Sequence, residues 1–552
     1  MHNKVIKNRI LYTLSFHSSR LKRYNYDINI TYNEAKENEE LIGLAESQML
    51  RTIRKVLLEN GQFYRKLDRV LLEELYTKKE KGKATKEDIQ KIEDMTYIPE
   101  YATITMNSEK QYDYLFKNGV KINGILYRRL SSSAAQARTS TVVFCSTKII
   151  DRVNELLDNG RNKDVKFSPS KFSAYKGLYS SATRVVTTPR FCVVPDYESE
   201  TEFKCNWVTE TDYNLDDIIE EKTIKRKFNR WDGMGIISPN FAKIWQRDLG
   251  LDYLPSTFGI RQSYIKGMVA VFDFHKFCKE KNNGNYLIKS LYKDKNGEPI
   301  MVDLRNIDVI LTESQFKLWA CYNSLEEYNQ NCIKNELNWG VGLYADKKCK
   351  NKLKLNYQFL QANNIKKEDI PLLCKDFVNW ITNVSYNDSY SALLFLLGTE
   401  MDEDSLKKYI LSQDNWWVKA LMVEPKLIES KYIKQNIYRL VKKKINDAYT
   451  GSFFVEGNNQ TLISDPYGLC QYICGKEVTG LIDKDKYYIN YWNQKNIKEV
   501  IGMRPPLTSR AEVLNMNLSN TDEQNYWFEY LYNGVILNIH GAETDYFAGS
   551  DY

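Results

Sequence analysis

The chain has 552 residues, of which 43% are hydrophobic and 27% are charged. This balance is typical of folded globular proteins and excludes an intrinsically disordered chain. The length is enough for roughly three or four domains. Lysine and arginine (78) exceed aspartate and glutamate (71) by 78 − 71 = 7, a small excess that permits binding to a polyanion without predicting it.

The sequence predicts a cytoplasmic protein. Its longest apolar run, residues 392–397, is too short to span a bilayer, and its basic N-terminal stretch lacks a signal-peptide cleavage site. The 10 cysteines are scattered, and only Cys470 and Cys474 are close together. No second pair or nearby histidine completes a zinc site, so we expect reduced thiols.

Hydrophobic periodicity divides the chain into alternating helical and β-rich zones. The first hundred residues show mainly helical spacing, and short β-type runs dominate from about 101 to 315. Within that zone, Asn296-Gly297 predicts a hairpin turn. The pattern is again mostly helical over about 318–445, and β-type runs return from about 451 onward. Together these zones predict an α+β fold.

Two clusters of positive charge stand out, Lys222–Arg230 and Lys442–Lys444. Each is most simply read as a solvated surface. The first lies next to a glycine-containing motif and is therefore also a candidate for contact with a polyanion.

That motif runs from Trp231 to Pro239 and contains Gly233 and Gly235. Ser238 is a good N-cap residue and Pro239 suits the first helical position, so the pattern predicts a helix from there through Asp248. The glycines allow a close approach of the backbone to a ligand such as phosphate, although a simple turn before the helix is the alternative. No Gly-Lys-Ser/Thr follows, which excludes a P-loop.

Two further segments place arginine or lysine in defined backbone contexts. Arg261 and Lys266 precede Gly267 and a hydrophobic strand. Cations on the rim of a β-domain can hold phosphates, although basic residues before strands are ordinary. Farther along, a double proline follows Arg504 and can hold its backbone in one conformation; by itself this segment is a loop.

The last residues, Gly549-Ser550-Asp551-Tyr552, contain one carboxylate of a possible metal site. An Asp-x-Asp-Gly-Asp run binds Mg²⁺ because its carboxylates converge from one turn and offer hard oxygen ligands. Only the first aspartate of such a run is present here, and an ordinary acidic terminus is the alternative.

Seven segments occur in an order that is more specific than any one of them. They are Arg129–Arg138, Gly177–Thr183, Asp232–Ser238, Phe258–Ala270, Glu313–Lys317, Arg504–Pro506 and Gly549–Asp551. In this order they resemble the motifs of the two-barrel RNA polymerases, which include the eukaryotic-type RNA-dependent RNA polymerases and their phage single-chain relatives. One departure is Gly259, where the family has glutamine.

The resemblance implies an α+β fold with double-psi β-barrels, the first complete and the second only begun. It divides the chain into a helical N-terminal region, a β-rich slab-like region, the first barrel, a mainly helical connector and the start of the catalytic barrel. The corresponding bounds are 1–100, 101–164, 165–317, 318–480 and 481–552.

The resemblance also implies a nucleotidyltransferase that adds NTPs to an RNA 3′ end on an RNA or DNA template. Phosphoryl transfer in this family uses two Mg²⁺ ions. At the matching positions, Asp551 would be a Mg²⁺ ligand. Lys266 and Arg261 would be catalytic cations that neutralise phosphate charge.

Substrate binding is implied for three further residues. Arg504 would contact the ribose of the incoming nucleotide. Lys317 and Arg138 would also bind substrate, with structural roles as the alternative for each.

Since the aspartate run stops after Asp551, we expect that this chain alone does not extend RNA. An interrupted gene, a truncated reading frame or a second polypeptide that carries the rest of the catalytic barrel would each give this ending. The alternative is a non-catalytic nucleic-acid-binding protein on a degenerate polymerase scaffold. The abundance of Lys, Asn, Ile and Tyr favours a low-GC host or its phage, and hence, slightly, a DNA template and the host cytoplasm.

Overall fold

The computed structural model describes residues 10–208, 219–349, 352–385, 392, 416–507 and 510–543. Its first part is a seven-stranded sheet in the order β2-β5-β6-β7-β4-β1-β3. The strands are β1 (Leu11–His17), β2 (Asp27–Ile28), β3 (Leu41–Leu44), β4 (Tyr97–Thr105), β5 (Val120–Ile122), β6 (Ile125–Ser131) and β7 (Thr141–Ser146). The helices of this part are α1 (Ser18–Arg23), α2 (Tyr32–Glu37), α3 (Gln48–Glu59), α4 (Arg69–Glu80), α5 (Lys86–Thr96), α6 (Glu109–Asn118), α7 (Ala134–Arg138) and α8 (Ile150–Asp158).

The expected helical character of the first hundred residues is only partly confirmed. Helix α3 is present, with Ser47 as its N-cap, but β1 and β3 are strands of the sheet. Strand β1 pairs in parallel with β4, more than eighty residues away in sequence. The short apolar run in β1 is therefore stabilised by a distant partner, which local periodicity does not reveal.

The second part contains another seven-stranded sheet, in the order β8-β18-β13-β14-β12-β17-β9, and two separate strand pairs, β10-β11 and β15-β16. Its pairing is mixed, because β12 and β14 are parallel, β9 and β17 are parallel, and β12 and β17 are antiparallel. The strands are β8 (Arg184–Val185), β9 (Phe191–Val194), β10 (Glu198–Val208), β11 (Ile219–Asn229), β12 (Met234–Ile237), β13 (Thr257–Gln262), β14 (Ile265–Val271), β15 (Leu287–Lys293), β16 (Pro299–Asp303), β17 (Val309–Thr312) and β18 (Gly340–Tyr344). The helices are α9 (Pro169–Gly177), α10 (Pro239–Asp248), α11 (Phe274–Lys281) and α12 (Leu325–Asn335).

Several local predictions in this part are confirmed. Helix α10 begins at Pro239 and ends at Asp248, and the Ser238 hydroxyl accepts a hydrogen bond from the N–H of Phe241 at 3.4 Å. Strands β15 and β16 form an antiparallel pair on either side of Asn296-Gly297. The sheet nevertheless extends to β18, past the expected boundary at residue 317, because β18 pairs with β13.

Strands β10 and β11 form a separate two-stranded ribbon that contains most of the first basic cluster. On one face, Lys204 pairs with Glu221 at 3.0 Å and Lys225 with Glu202 at 3.8 Å. These residues are exposed, as the reading of a solvated surface predicts. Arg230, the last residue of the cluster, is instead only 1% exposed.

The third part contains the helical segment and a five-stranded sheet in the order β21-β25-β22-β24-β23. This sheet begins before the expected boundary at residue 481. The strands are β19 (Lys352–Lys354), β20 (Phe454–Glu456), β21 (Leu462–Ser464), β22 (Lys486–Tyr488), β23 (Glu499–Met503), β24 (Val513–Leu518) and β25 (Val535–Leu537). The helices are α13 (Tyr357–Ala362), α14 (Ile370–Ser385), α15 (Trp416–Val423), α16 (Lys431–Tyr449), α17 (Pro466–Ile473), α18 (Asn490–Asn493) and α19 (Asp522–Trp527). None of the helices among the described residues combines the length and the apolar character needed to cross a membrane.

One hydrophobic core joins the second and third parts. It includes Trp231 and Ile310 from the second part, and Tyr467, Trp527 and Ile536 from the third. The indole N–H of Trp231 also donates to the carbonyl oxygen of Asp465 at 3.0 Å. The motif that begins at Trp231 is thus held between the two sheets.

Asp465 is a fully buried carboxylate at the start of α17. It accepts hydrogen bonds from the backbone N–H groups of Tyr467, Gly468 and Leu481, at 2.9, 3.3 and 2.6 Å. These bonds cap the helix and fix the loop at Leu481 against it. Burial nevertheless raises the pKa of Asp465 from 3.8 to about 6, because it disfavours the charged form.

We expect the Asp465 carboxyl to make the protein less stable as pH rises from about 4 to about 6. In that window the folded state holds the proton more tightly than the unfolded chain, so unfolding releases it and rising pH favours unfolding. The shift corresponds to at most about 3 kcal/mol. Urea unfolding of the wild type and of Asp465→Asn at several pH values measures the effect. In Asp465→Asn this loss of stability between about pH 4 and pH 6 should be absent. If the unfolding free energies of the two proteins depend on pH in the same way, the effect does not come from Asp465.

Candidate functional site

Arg261 and Lys266 face each other across a tight β-hairpin. Strands β13 and β14 are joined by Ser263 and Tyr264, and Arg261 is the direct partner of Lys266 in the antiparallel register. Directly opposed side chains lie on the same face of a sheet, with Cβ atoms about 5 Å apart. The hairpin therefore brings two positive charges together next to its turn.

Buried tyrosines fix this turn. Tyr264 has a φ of 58°, is 1% exposed, and donates its hydroxyl to the carbonyl of Leu157 at 3.0 Å. The hydroxyl oxygens of Tyr179 and Ser263 are 2.7 Å apart, and Tyr328 donates to the carbonyl of Ser263 at 2.6 Å. The turn is therefore tied to α8 and α12, and the two cations stand on a restrained backbone.

Arg261 has unused hydrogen-bonding capacity. Its Nη1 donates to the carbonyl of Ile260 at 2.7 Å, whereas its buried Nε has no hydrogen-bond partner among the described residues. Burial lowers the pKa of Arg261, because it disfavours the charged form. Like charges directly opposite in a sheet also repel, and Lys266 lies opposite. An anion such as a phosphate group at this position would satisfy Nε and offset the repulsion.

The backbone of Lys317 lies at the same turn. Its N–H donates to the carbonyl of Tyr264 at 3.0 Å, and the preceding residue, Phe316, forms a β-bridge with Ile265. The Lys317 side chain is half-buried. Three of the residues predicted for the site therefore belong to one structural unit, the β13–β14 hairpin and the segment that contacts its turn.

Gln315 explains why three separate motifs are close in space. Its side chain is fully buried; Nε2 donates to the carbonyl of Met268 at 3.0 Å, and Oε1 accepts from the N–H of Thr312 at 3.1 Å. A Cβ atom at Gly235 would lie 2.6 Å from Gln315 Oε1, and one at Gly267 would lie 2.4 Å from its Nε2. Both glycines are therefore required to admit this amide, which aligns β12 and β14 with the loop after β17.

The Asp232-Gly233 turn is held by a second set of hydrogen bonds. The N–H of Gly233 donates to Ser314 Oγ at 3.0 Å, and the N–H of Ser314 donates to Asp196 Oδ1 at 3.1 Å. Burial raises the pKa of Asp196, with further contributions from nearby negative charges that include Asp232. Asp232 itself is exposed. Sequence reasoning missed Asp196; its position just after the buried strand β9 was the available signal.

Arg230 is a second residue that sequence reasoning did not single out. Its Nε donates to Ser199 Oγ at 2.6 Å, and its Nη1 donates to the carbonyl of Gly541. Burial lowers the pKa of Arg230, and the nearby Glu543 acts in the opposite direction. This arginine therefore anchors residues 541–543 to the ribbon beside the Trp231 motif. Its signal in the sequence was its position directly before that motif.

Arg504 and Arg138 lie elsewhere in the fold. Arg504 is half-buried and follows β23, an edge strand of the five-stranded sheet. Nearby, the N–H of Leu507 donates to Gln358 Oε1 at 3.3 Å, which connects this loop to α13. Arg138 is exposed in the last turn of α7, beside the first sheet. Neither residue is part of the hairpin unit.

Asp551, the predicted Mg²⁺ ligand, lies outside the described residues, as do Gly549 and Ser550. Within the described ranges, no group of three His, Cys, Asp or Glu side chains is placed to hold a metal ion. The described part of the chain thus brings cations together at the hairpin and contains no such group of metal-ligating side chains.

Comparison with known proteins agrees with the motif order. A family model described as RNA dependent RNA polymerase matches residues 62–390. The chain is 24% identical over 434 residues to the DNA-directed RNA polymerase YonO of Bacillus phage SPbeta, covering 76% of this chain and 46% of the phage protein. The RNA dependent RNA polymerase QDE-1 from Thielavia terrestris has a similar fold, with a TM-score of 0.52 at 12% identity, covering 81% of this chain and 47% of that one.

The chain spans about half the length of each of these two relatives. The family model covers more than half of the chain, including the hairpin, the glycine motif and Gln315. The mixed α+β architecture agrees with the structural relative. On this evidence the chain belongs to the RNA-dependent RNA polymerase family.

Proposed function

We propose that this protein acts in RNA synthesis as a nucleotidyltransferase, adding NTPs to an RNA 3′ end on a nucleic-acid template. The observation that carries the proposal is the hairpin unit, which presents Arg261 and Lys266 on one face with Lys317 next to the turn. Similarity to a phage DNA-directed enzyme over most of the chain favours DNA as the template.

The chemistry of the hairpin suits a triphosphate. Transfer of a nucleotide builds up negative charge on phosphate oxygens, and fixed cations stabilise that charge most when they need not reorganise. The exposed Lys266 would bind phosphate as a compact point charge, and Arg261 would use its Nε, which has no hydrogen-bond partner among the described residues. Lys317 would add charge from the neighbouring segment.

The remaining roles follow from the resemblance. Arg504 would contact the ribose of the incoming nucleotide, and Arg138 would bind substrate at the edge of the first part. Asp551 would help to hold Mg²⁺, which when bound would activate the attacking hydroxyl and stabilise the leaving pyrophosphate.

We propose further that the sheet from β8 to β18 is the first double-psi β-barrel and that the five-stranded sheet belongs to the second. The crossed parallel pairs, β9 with β17 and β12 with β14, support the first assignment. The shared core at Trp231 would then fix one barrel against the other.

Template-selected nucleotide binding tests this function without requiring turnover. The purified protein is loaded with a hybrid of template and RNA, and the affinity of each of the four NTPs is measured. We expect the NTP complementary to the next template base to bind most tightly, and a DNA template to give the larger preference. Equal binding of all four NTPs, or of none, would favour a nucleic-acid-binding protein without polymerase function.

A further inference from the structure

Helix α16 (Lys431–Tyr449) carries more cations than any other described helix. It contains the six cations Lys431, Lys434, Arg439, Lys442, Lys443 and Lys444, and one acidic residue, Asp447. The helix begins at a well-formed cap, where Ser430 Oγ accepts from the N–H of Ile433 at 3.4 Å. At about 1.5 Å per residue, its 19 residues extend over about 28 Å.

The inner face of α16 is fixed in the protein. Ile433 and Leu440 pack in a core with Leu421 of α15. Lys444 lies 5.0 Å from the ring centre of Phe454, and burial lowers its pKa. Asp447, the acidic residue, is 3.6 Å from the ammonium group of Lys354. The orientation of the helix, and hence of its outer face, is therefore defined.

The outer face combines cations with exposed tyrosines. Lys431, Tyr438, Lys442 and Tyr449 are spaced by seven, four and seven residues, and this spacing places them along one line of an α-helix. Tyr438 is 64% exposed and Tyr449 is 84% exposed. Tyrosine is a side chain that proteins usually cover at least in part, so an exposed aromatic row between cations indicates a binding surface.

We propose that this outer face binds single-stranded nucleic acid, with the lysines on phosphates and the tyrosines stacked on bases. Alternation of positive charge and aromatic rings is the common design of single-strand binding surfaces. Ile433, Ile437, Leu440 and Val441 of this helix pack in the inner core. The outer face therefore lacks the continuous apolar row by which a membrane-bound helix inserts. The inference rests on the proposed function in one respect: that function supplies the bound strand, which is either the template or the product RNA.

The first test measures the salt dependence of oligonucleotide binding by the full chain. One variant combines Lys431→Gln, Lys434→Gln and Lys442→Gln, which are exposed lysines on the side of the outer face. Its matched control combines Lys79→Gln, Lys81→Gln and Lys83→Gln, which removes the same charge from exposed positions in and after α4. Fluorescence anisotropy with a labelled single strand gives the slope of log affinity against log salt. We expect the magnitude of this slope to fall by about two in the α16 variant and to stay at the wild-type value in the control.

The second test examines the tyrosines with Tyr438→Ala combined with Tyr449→Ala. We expect single-strand affinity to fall by about fivefold or more, with duplex affinity unchanged, because only unpaired bases can stack. Circular dichroism confirms that each variant remains folded.

The inference is overturned if the α16 lysine variant binds the single strand with the slope of the wild type, or if the control loses as much. It is also overturned if anionic phospholipid vesicles bind the wild type and the single strand does not. Neither readout uses NTP. If template-selected NTP binding failed, the proposed function would be contradicted. The salt dependence of oligonucleotide binding would still test the outer face of α16.

Discussion

Lys266→Ala is expected to weaken NTP binding to the template-loaded protein by about ten- to hundredfold. A hydrogen bond to a charged group contributes about 1.5–3 kcal/mol, and each 1.4 kcal/mol corresponds to about tenfold in affinity. The hairpin should stay folded without the lysine side chain, because it is held by backbone pairing and by the buried hydrogen bonds of its turn. The measurement is a fluorescence titration with a labelled NTP, together with a urea unfolding curve.

The matched control for this prediction is Lys289→Ala. Lys289 is an exposed lysine on β15, in a separate two-stranded sheet. The Lys289→Ala variant should bind NTP with wild-type affinity. If Lys266→Ala also binds NTP with wild-type affinity, the hairpin does not hold the triphosphate. If Lys266→Ala is strongly destabilised, the lysine has a structural role instead.

Gly235→Ala is expected to have the largest effect on stability, about 3 kcal/mol or more. Its new Cβ would lie 2.3 Å from the carbonyl oxygen of Ile310 and 2.6 Å from Gln315 Oε1. The first neighbour is backbone in a paired strand, so the sheet must shift, and overpacking of this kind costs about 1–3 kcal/mol. Displacement of Gln315 also weakens two buried hydrogen bonds, each worth about 1 kcal/mol. A lower urea midpoint measures the loss.

Gly259→Ala is the matched control, because Gly259 lies in β13 of the same sheet. Its new Cβ would meet Leu343 Cβ at 3.3 Å, so β18 need shift by only a few tenths of an ångström at this exposed position. We expect a cost within about 1 kcal/mol. Equal destabilisation by the two substitutions would show that alanine is simply unfavourable in these strands. That result would contradict a specific role for the contact between Gly235 and Gln315.

Features with local causes were predictable from the sequence. The helix from Pro239 to Asp248 follows from a capping serine and a first-position proline, and the hairpin at Asn296-Gly297 follows from the turn preference of that pair. The order of short motifs was enough to predict the family, which the family model confirms. The candidate site residues come from the same resemblance and stay predictions.

Features that depend on distant partners were not predictable. Strand β1 is short and irregular in pattern, and its pairing partner β4 lies far along the chain. The burial of Arg230 depends on Ser199 and on the carbonyl of Gly541, more than three hundred residues later. The same limit applies to Gln315: the sequence placed it in a motif, and the structure shows that it fits between two glycines of other motifs.

Photo-crosslinking of a bound triphosphate tests the central claim most directly. An NTP with an aryl azide on its γ-phosphate is bound to the template-loaded protein, activated by light, and mapped by mass spectrometry of the digested chain. We expect crosslinks in residues 257–271 and 313–322, which contain the hairpin and the segment at its turn. Crosslinks that lie in other parts of the chain, with both of these ranges unmodified, would contradict it.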